Sequence, residues 1–328
     1  MKIAVIGTGG WGTANAILLS GLGHEVSLWG RNPAAVEEMR RTRSNPVYLP
    51  DVAIPDSVRL TSDRAEAVRD ADVVAFAVPS RFIGNVCEAF AGLVGGSAIA
   101  VSLTKGFCER TCHRMSELIA SRLGVGRVAV LSGPSHAEEV ARGIPTAIVA
   151  AAHSTDDARV VQRAWSSSAF RVYTSDDLIG VEVGGAVKNV IAIAVGCSDG
   201  LGYGDNTRAA LITRGLAEIS RFACACGANP RTVSGLSGMG DLIVTCTSRH
   251  SRNRAVGECL GRGEGIDSIL SSMKMVAEGV WNSRVVRGMA ADYGVAMPIT
   301  EAVYGVCHEG LSVRDAITSL MNRPLKDE

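Results

Sequence analysis

Along the first part of the chain, short apolar runs rich in Val, Ile and Ala alternate with longer stretches of mixed polarity. The runs fall at residues 2–6, 25–29, 73–78, 98–103, 128–131, 146–150 and 171–174. Runs that are apolar at successive rather than alternate positions predict strands buried on both faces, and the intervening stretches are long enough for helices. This is the pattern of a mainly parallel, doubly wound α/β sheet. From about residue 180 the strand signal stops. Residues 181–197, 208–226 and 283–293 read as helices, the first almost wholly apolar, and the gaps at 199–204 and 235–240 are rich in glycine. The expected organisation is a doubly wound N-terminal domain over residues 1–178 and an all-helical C-terminal domain over 179–328.

Composition narrows the partners. Lys plus Arg and Asp plus Glu number 33 each, so no net field draws the chain to nucleic acid or an anionic membrane, and its basic residues act locally. The 37 glycines suit tight strand–helix turns and close packing. Nine cysteines are scattered, several in apolar stretches (Cys87, Cys197, Cys307), and Cys108/Cys112 and Cys224/Cys226 lack a second pair at zinc-ribbon spacing. Reduced thiols and no metal site are expected. The apolar start at Ile3–Ile6 runs into glycines too soon for a signal core, so the expected location is the cytoplasm, with no integral membrane segment.

Gly7, Gly9 and Gly12 form G-x-G-x-x-G directly after the first predicted strand, with a helix-compatible stretch following. In that context the first glycine allows the turn, the second lets backbone amides approach a pyrophosphate, and the third lets helix and strand pack closely; the helix N-terminus adds partial positive charge. A Rossmann-like dinucleotide-binding domain follows. The second strand ends in Trp29-Gly30-Arg31 with no carboxylate to repel a 2′-phosphate. NADP(H) is therefore admissible, with Arg31 either contacting it or a solvated turn residue.

Lys188 stands among core-type residues in the segment 184–193, and lysine is costly to bury. Gly184 and Gly185 one turn earlier would leave room for a ligand beside the ammonium, and partial desolvation would suit it to proton transfer; the bland alternative is a snorkelling head or a pair with Glu182. Lys105 follows the carboxyl end of a strand, where ligands of open α/β sheets bind, and reads equally as a plain loop lysine. Asp241 is an N-cap or, with Thr245 four residues on, part of a polar helix face that orients Lys188 or a substrate hydroxyl. Ser251-Arg252-Asn253-Arg254 ahead of a helix-like stretch is a phosphate cradle or a basic surface turn. No histidine pairs with an evident Ser or Asp partner, which argues against a hydrolase triad.

These segments resemble bacterial NAD(P)-dependent glycerol-3-phosphate dehydrogenase along essentially the whole chain. The matches run through 7–13, 45–50, 104–106, 133–140, 185–190, 199–202, 211–216, 240–242, 245–248, 251–254 and 276–279. The resemblance implies oxidoreduction between glycerone phosphate and sn-glycerol 3-phosphate with NADP or NAD, supplying glycerol 3-phosphate for phospholipid synthesis. It implies that Lys188 is the proton donor and acceptor. Lys105, Gly133, Ser135, Asn189, Asp241, Thr245, Ser251, Arg252 and Asn253 would serve the substrate, with Lys105 and Asp241 assisting catalysis. Gly7, Gly9, Gly10, Trp11, Gly12, Arg31, Lys105, Ala137, Arg252, Val276 and Glu278 would serve the cofactor. Gly10 departs from the serine that many members carry, which removes a side-chain contact to the cofactor phosphates and keeps the backbone amide. The implied partners are a small-molecule substrate and a second copy of the chain. Two other readings share the features above: a hydroxy-acid dehydrogenase of the same architecture, which needs a carboxylate site, and a non-catalytic NADP(H)-binding protein, which needs neither Lys188 nor the basic turn.

Overall fold

The computed structural model describes residues 1–273 and 275–325. The chain folds into two compact units, Met1–Glu182 and the remainder from Val183.

The first unit is built on strands β1 (Lys2–Ile6), β2 (Glu25–Trp29), β3 (Ser44–Asn45), β4 (Leu49–Ala53), β5 (Val58–Thr61), β6 (Val73–Phe76), β7 (Ile99–Ser102), β8 (Val128–Ser132), β9 (Thr146–Ala152) and β10 (Phe170–Ser175). Eight of them form one sheet in the order β10-β9-β8-β7-β6-β1-β2-β5, while β3 and β4 pair separately as a small hairpin. Every residue of β6 and β7 is buried, as strands covered on both faces require. Alternate side chains of β1 supply the two cores: Ile3 and Val5 join Leu19, Leu28, Val101 and Trp165, while Ala4 and Ile6 join Trp29, Phe76, Phe90 and Leu118. Within the eight-stranded sheet pairing is parallel except between β8 and β9, and the β3–β4 hairpin is antiparallel. The register puts Ile6 beside Trp29 and Phe76, Phe76 beside Ser102, and Trp29 beside Thr61, so the carboxyl ends of five strands are level. From β1 the chain winds outward to β2 and β5 on one side and to β6 and β7 on the other, the switch point at which open α/β sheets bind ligands.

The sheet agrees with the expected runs and adds strands that the periodicity did not disclose. β5 is a four-residue edge strand carrying Arg59, and β4 contains Pro50 and Asp51; neither forms a continuous apolar run. Both are specified by pairing with a neighbour rather than by their own pattern.

The second unit is helical. The predicted helix at 181–197 is the middle of Leu178–Gly200, while those at 208–226 and 283–293 start inside Asp205–Ala225 and Glu278–Asp292 and end on their C-caps, Cys226 and Tyr293. Helices Pro298–His308 and Val313–Met321 follow, without having been distinguished in the pattern. Leu178–Gly200 is long and apolar enough to cross a membrane, yet 89% of its most apolar window is buried inside the protein, so it is a core helix here. Glycines let it meet Arg252–Gly261 backbone to backbone. A Cβ on Gly196 would stand 2.1 Å from the Arg254 carbonyl oxygen, one on Gly257 2.1 Å from that of Ile193, and one on Gly261 2.4 Å from that of Cys197. No side chain fits at these separations, and the N-terminus of Arg252–Gly261 is thereby fixed against the helix that carries Lys188.

Candidate active site

The glycine loop of the first unit divides its glycines by physical cause. Gly7 has φ of 119°, and a Cβ there would stand 2.6 Å from the Ala77 carbonyl oxygen; one on Gly12 would stand 1.9 Å from the Gly7 carbonyl oxygen. Both are demanded by the protein's own packing. Gly9, the N-cap of Gly10–Gly21, is different, since a Cβ there would meet no protein atom within 4 Å. Its smallness instead suits a ligand approaching the helix N-terminus. Gly10 lies against the Tyr48 carbonyl oxygen at 2.6 Å and Ala137 at 3.7 Å from its would-be Cβ, so a serine of the common family kind does not fit this backbone without a shift. Trp11 is the second residue of the helix and packs on the sheet's first core. Arg31 is exposed just past the carboxyl end of β2, and Asn32 caps the next helix by accepting from the Ala34 and Ala35 amides at 3.0 and 3.3 Å.

A second group assembles at the ends of β7 and β8. The Lys105 ammonium donates to the Gly133 carbonyl oxygen at 3.0 Å, and the Ser135 hydroxyl donates to the same oxygen at 2.9 Å. Gly133 holds φ of 144°, with Ile148 3.0 Å from where a Cβ would stand. Thr104 ties this loop to the end of β6 by donating to the Val78 carbonyl at 2.7 Å. Lys105 and Ser135, drawn from two loops, thus share the Gly133 carbonyl oxygen.

The second unit brings Lys188, Asp241 and Thr245 together. Lys188 is 6% exposed, and its ammonium donates to Asp241 Oδ1 at 2.7 Å and to Thr245 Oγ1 at 2.5 Å. Thr245 in turn donates to the Asp241 carbonyl at 2.6 Å, the back-bond that their four-residue spacing allows, leaving the hydroxyl oxygen to accept from Lys188. A buried ammonium is tolerable only with such a partner. The alternative pairing with Glu182 does not form: Glu182 accepts from Arg114 at 2.6 Å and from the Ser116 amide at 2.8 Å. Burial nevertheless raises the Glu182 pKa, with the Arg114 charge and the Ser116 hydrogen bonds opposing it.

Two expectations are corrected here. Asp241 is not an N-cap: Gly240 holds that position, Asp241 is the first helical residue, and its carboxylate goes to Lys188. Nor does Gly184 leave room for a ligand. Its Cβ position is 3.1 Å from the Ser237 carbonyl oxygen and 3.2 Å from Gly238 Cα, because the π turn Leu236–Gly240 packs onto the Lys188 helix there and delivers Asp241.

The basic turn is a connected structure rather than a pair of free cations. Ser251 caps Arg252–Gly261 by accepting from the Arg254 amide. Arg254 is committed to Asp199 and Glu258 at 2.8 and 2.7 Å. Asn253 donates to Asn189 at 2.9 Å and accepts from the Gly279 amide at 2.8 Å, linking three helices beside Lys188. Arg252 is exposed and donates to the Val276 carbonyl at 2.8 Å, two residues before Glu278 opens the next helix. Arg252 is thereby tied to Val276, and Asn253 to Asn189 and to Gly279, the residue after Glu278, while Ser251 caps the same turn.

Sequence reasoning passed over Asn45 as a functional residue. Its buried amide donates to the Thr8 carbonyl and to Thr13 Oγ1, both at 2.8 Å, holding the glycine loop from the β3–β4 hairpin. A short Asn-Pro segment carries no periodic signal; only its place in the resemblance marked it.

Residues 2–158 match the family described as NAD-dependent glycerol-3-phosphate dehydrogenase N-terminus, and residues 177–318 match the corresponding C-terminus. The chain is 49% identical to the glycerol-3-phosphate dehydrogenase [NAD(P)+] of Chlorobium limicola over all of this chain and 99% of that one. It is 46% identical to the enzyme of the same name from Moorella thermoacetica, over all of this chain and 97% of that one. The crystal structure of glycerol-3-phosphate dehydrogenase from Coxiella burnetii superposes with a TM-score of 0.95 at 37% identity, covering 98% of this chain and 99% of that one. With both halves matched in order and near-half identity sustained end to end, the chain belongs to the NAD-dependent glycerol-3-phosphate dehydrogenase family.

Proposed function

We propose that this chain interconverts glycerone phosphate and sn-glycerol 3-phosphate with NAD(P)H, in the cytoplasm and as a homodimer, supplying glycerol 3-phosphate for phospholipid synthesis. The observation that carries the reading is the Lys188–Asp241–Thr245 cluster, a buried ammonium held in one orientation by a carboxylate and a hydroxyl. In this reading residues 1–178 form the dinucleotide domain and 179–328 the substrate domain.

The residues of the first unit fit a dinucleotide. Gly9 opens the helix N-terminus to a pyrophosphate without a side chain in the way, and Arg31, exposed just past the carboxyl end of β2, suits a ribose 2′-phosphate. Gly7, Gly10, Trp11, Gly12 and Ala137 complete the surroundings of that loop. When bound, the nicotinamide supplies or takes up the hydride. Lys188 gives its proton to the carbonyl oxygen during reduction and recovers it from the hydroxyl during oxidation. Asp241 offsets the desolvation of that ammonium, and Thr245 fixes its direction. Lys105 supplies a donor for substrate oxygens and the Ser135 hydroxyl oxygen an acceptor, while Arg252, with Ser251 and Asn253 at the helix N-terminus, binds the phosphate.

The test is spectrophotometric. Mixed with NADPH or NADH and glycerone phosphate, the protein should oxidise the cofactor. Equal or faster turnover of an unphosphorylated semialdehyde would instead favour a hydroxy-acid dehydrogenase of the same architecture, and cofactor binding without turnover of either substrate would leave only a binding protein.

A further inference from the structure

The segment after Lys105 and Gly106 folds into a tight turn that neither the sheet nor the proposed reaction requires. Its base is closed by an antiparallel bridge between Phe107 and Arg114 and by the Cys108 amide donating to the His113 carbonyl at 2.9 Å. Inside it the Cys112 amide donates to the Cys108 carbonyl at 2.8 Å, a single α-turn that the chain leaves with Cys112 at φ of 57°. One such turn separates Cα atoms by about 6 Å, from four helical rises of about 1.5 Å each. That lies inside the span of roughly 4.4–6.8 Å over which a disulfide closes without backbone movement.

The two thiols differ in surroundings. Cys112 is exposed, while Cys108 is half-buried against the second core of the sheet. Burial raises the Cys108 pKa, but its sulfur accepts hydrogen bonds from the Thr111 side chain, the Thr111 amide and the Arg110 amide and faces the Arg122 charge, and these together bring it below the ordinary thiol value. Backbone amides converging on a sulfur form an anion-stabilising nest. The fully buried thiols behave oppositely: burial pushes Cys87, Cys197, Cys246 and Cys307 up to about 12.

We propose that Cys108 and Cys112 form a thiol-exchange site, in which Cys108 attacks low-molecular-weight disulfides such as oxidised glutathione and Cys112 resolves the adduct into an intramolecular disulfide. In the first step the Cys108 thiolate bonds to one sulfur of the glutathione disulfide and one glutathione thiolate leaves. In the second, Cys112 loses its proton to solvent and attacks the Cys108 sulfur, and the other glutathione thiolate leaves. Two protein thiols are oxidised to one disulfide, and one glutathione disulfide is reduced to two thiols. The site lies on the loop that carries Lys105.

The test reads mass and linkage rather than turnover, so its failure is distinct from failure of the proposed reaction. The whole protein is incubated with oxidised glutathione and mapped by peptide mass spectrometry. Wild-type protein should yield a Cys108–Cys112 disulfide, Cys112→Ser should accumulate glutathione on Cys108, and Cys108→Ser should yield neither. Brief alkylation of the unmodified protein should label Cys108 at least about tenfold faster than exposed Cys224, an internal control for folding. A mixed disulfide that persists in the wild type would overturn the role of Cys112. Cys108 labelling no faster than Cys224 would overturn that of Cys108.

Discussion

Replacing Lys188 by Met removes the ammonium and keeps most of the side chain's length, which separates two consequences that the structure ties together. Asp241 is 1% exposed and loses the cation 2.7 Å from its carboxylate. Thr245 is a poor substitute, because its proton is directed to the Asp241 carbonyl at 2.6 Å and its hydroxyl lies 3.4 Å from the carboxylate oxygen. Breaking a buried pair from one side costs about 3–5 kcal/mol, so the melting temperature should fall by on the order of 10 °C. Adding Asp241→Leu removes the stranded charge, and the double variant should recover to within about 1 kcal/mol of wild type, since apolar replacements of buried pairs are commonly neutral. Activity should not follow stability. Both variants should turn over glycerone phosphate about 10²-fold or more below wild type while still binding NADH. Thermal unfolding by circular dichroism and cofactor oxidation by absorbance measure the two quantities separately. Turnover of the single variant within tenfold of wild type, or recovery of turnover together with stability in the double variant, would remove Lys188 from proton transfer and leave it a structural ion-pair partner.

Three further outcomes are expected. Arg31→Asp should move cofactor preference from NADPH toward NADH in the ratio of kcat/KM values, and an unchanged ratio would mean that Arg31 does not meet the adenosine ribose. Arg252→Leu should lower kcat/KM for glycerone phosphate by on the order of 10²-fold while sparing the slow reaction with dihydroxyacetone. Proportional loss on both substrates would make its bond to the Val276 carbonyl its main role. Glu218 caps Pro298–His308 from inside the second unit, accepting from the Ile299 amide at 2.6 Å and the Thr300 amide at 3.2 Å. Burial raises its pKa above the ordinary 4.5, with those hydrogen bonds opposing the shift. The folded state then holds this proton more tightly than the unfolded chain, so the stability linked to it is full below pH 4.5 and is lost as pH rises through the raised value. Glu218→Gln should remove that slope, and urea-unfolding free energies that run parallel for variant and wild type across the acid range would refute it.

Much of the fold was legible because its signals are local. Strands buried on both faces must be apolar throughout, so the runs at 2–6, 73–78 and 98–103 announced themselves, and a glycine triplet between a strand and a helix has few other physical uses. Lys188 drew notice for the same reason, a charge written into a core segment. Where pairing supplies the stability, the signal disappears: β5 and the β3–β4 hairpin are held by neighbours, and Asn45 acquires its task only when the hairpin sets it 2.8 Å from Thr8 and Thr13.

The sequence by itself determined which residues carry charge into apolar surroundings, where the chain switches from strands to helices, and that a dinucleotide loop follows the first strand. Tertiary structure alone decided the partners. Lys188 and Asp241 are 53 residues apart, and nothing in either segment distinguishes this pairing from one with Glu182, six positions before the lysine. The choice falls to packing: Gly184 and the π turn Leu236–Gly240 let two backbones approach to about a side chain's width, which brings Asp241 to the ammonium, while Arg114 and Ser116 engage Glu182. Likewise Arg252 and Arg254 are equivalent as letters in one basic turn. The glycine contact between their helix and the Lys188 helix leaves Arg254 against Asp199 and Arg252 exposed beside Val276, because side chains two apart on a helix point to different faces.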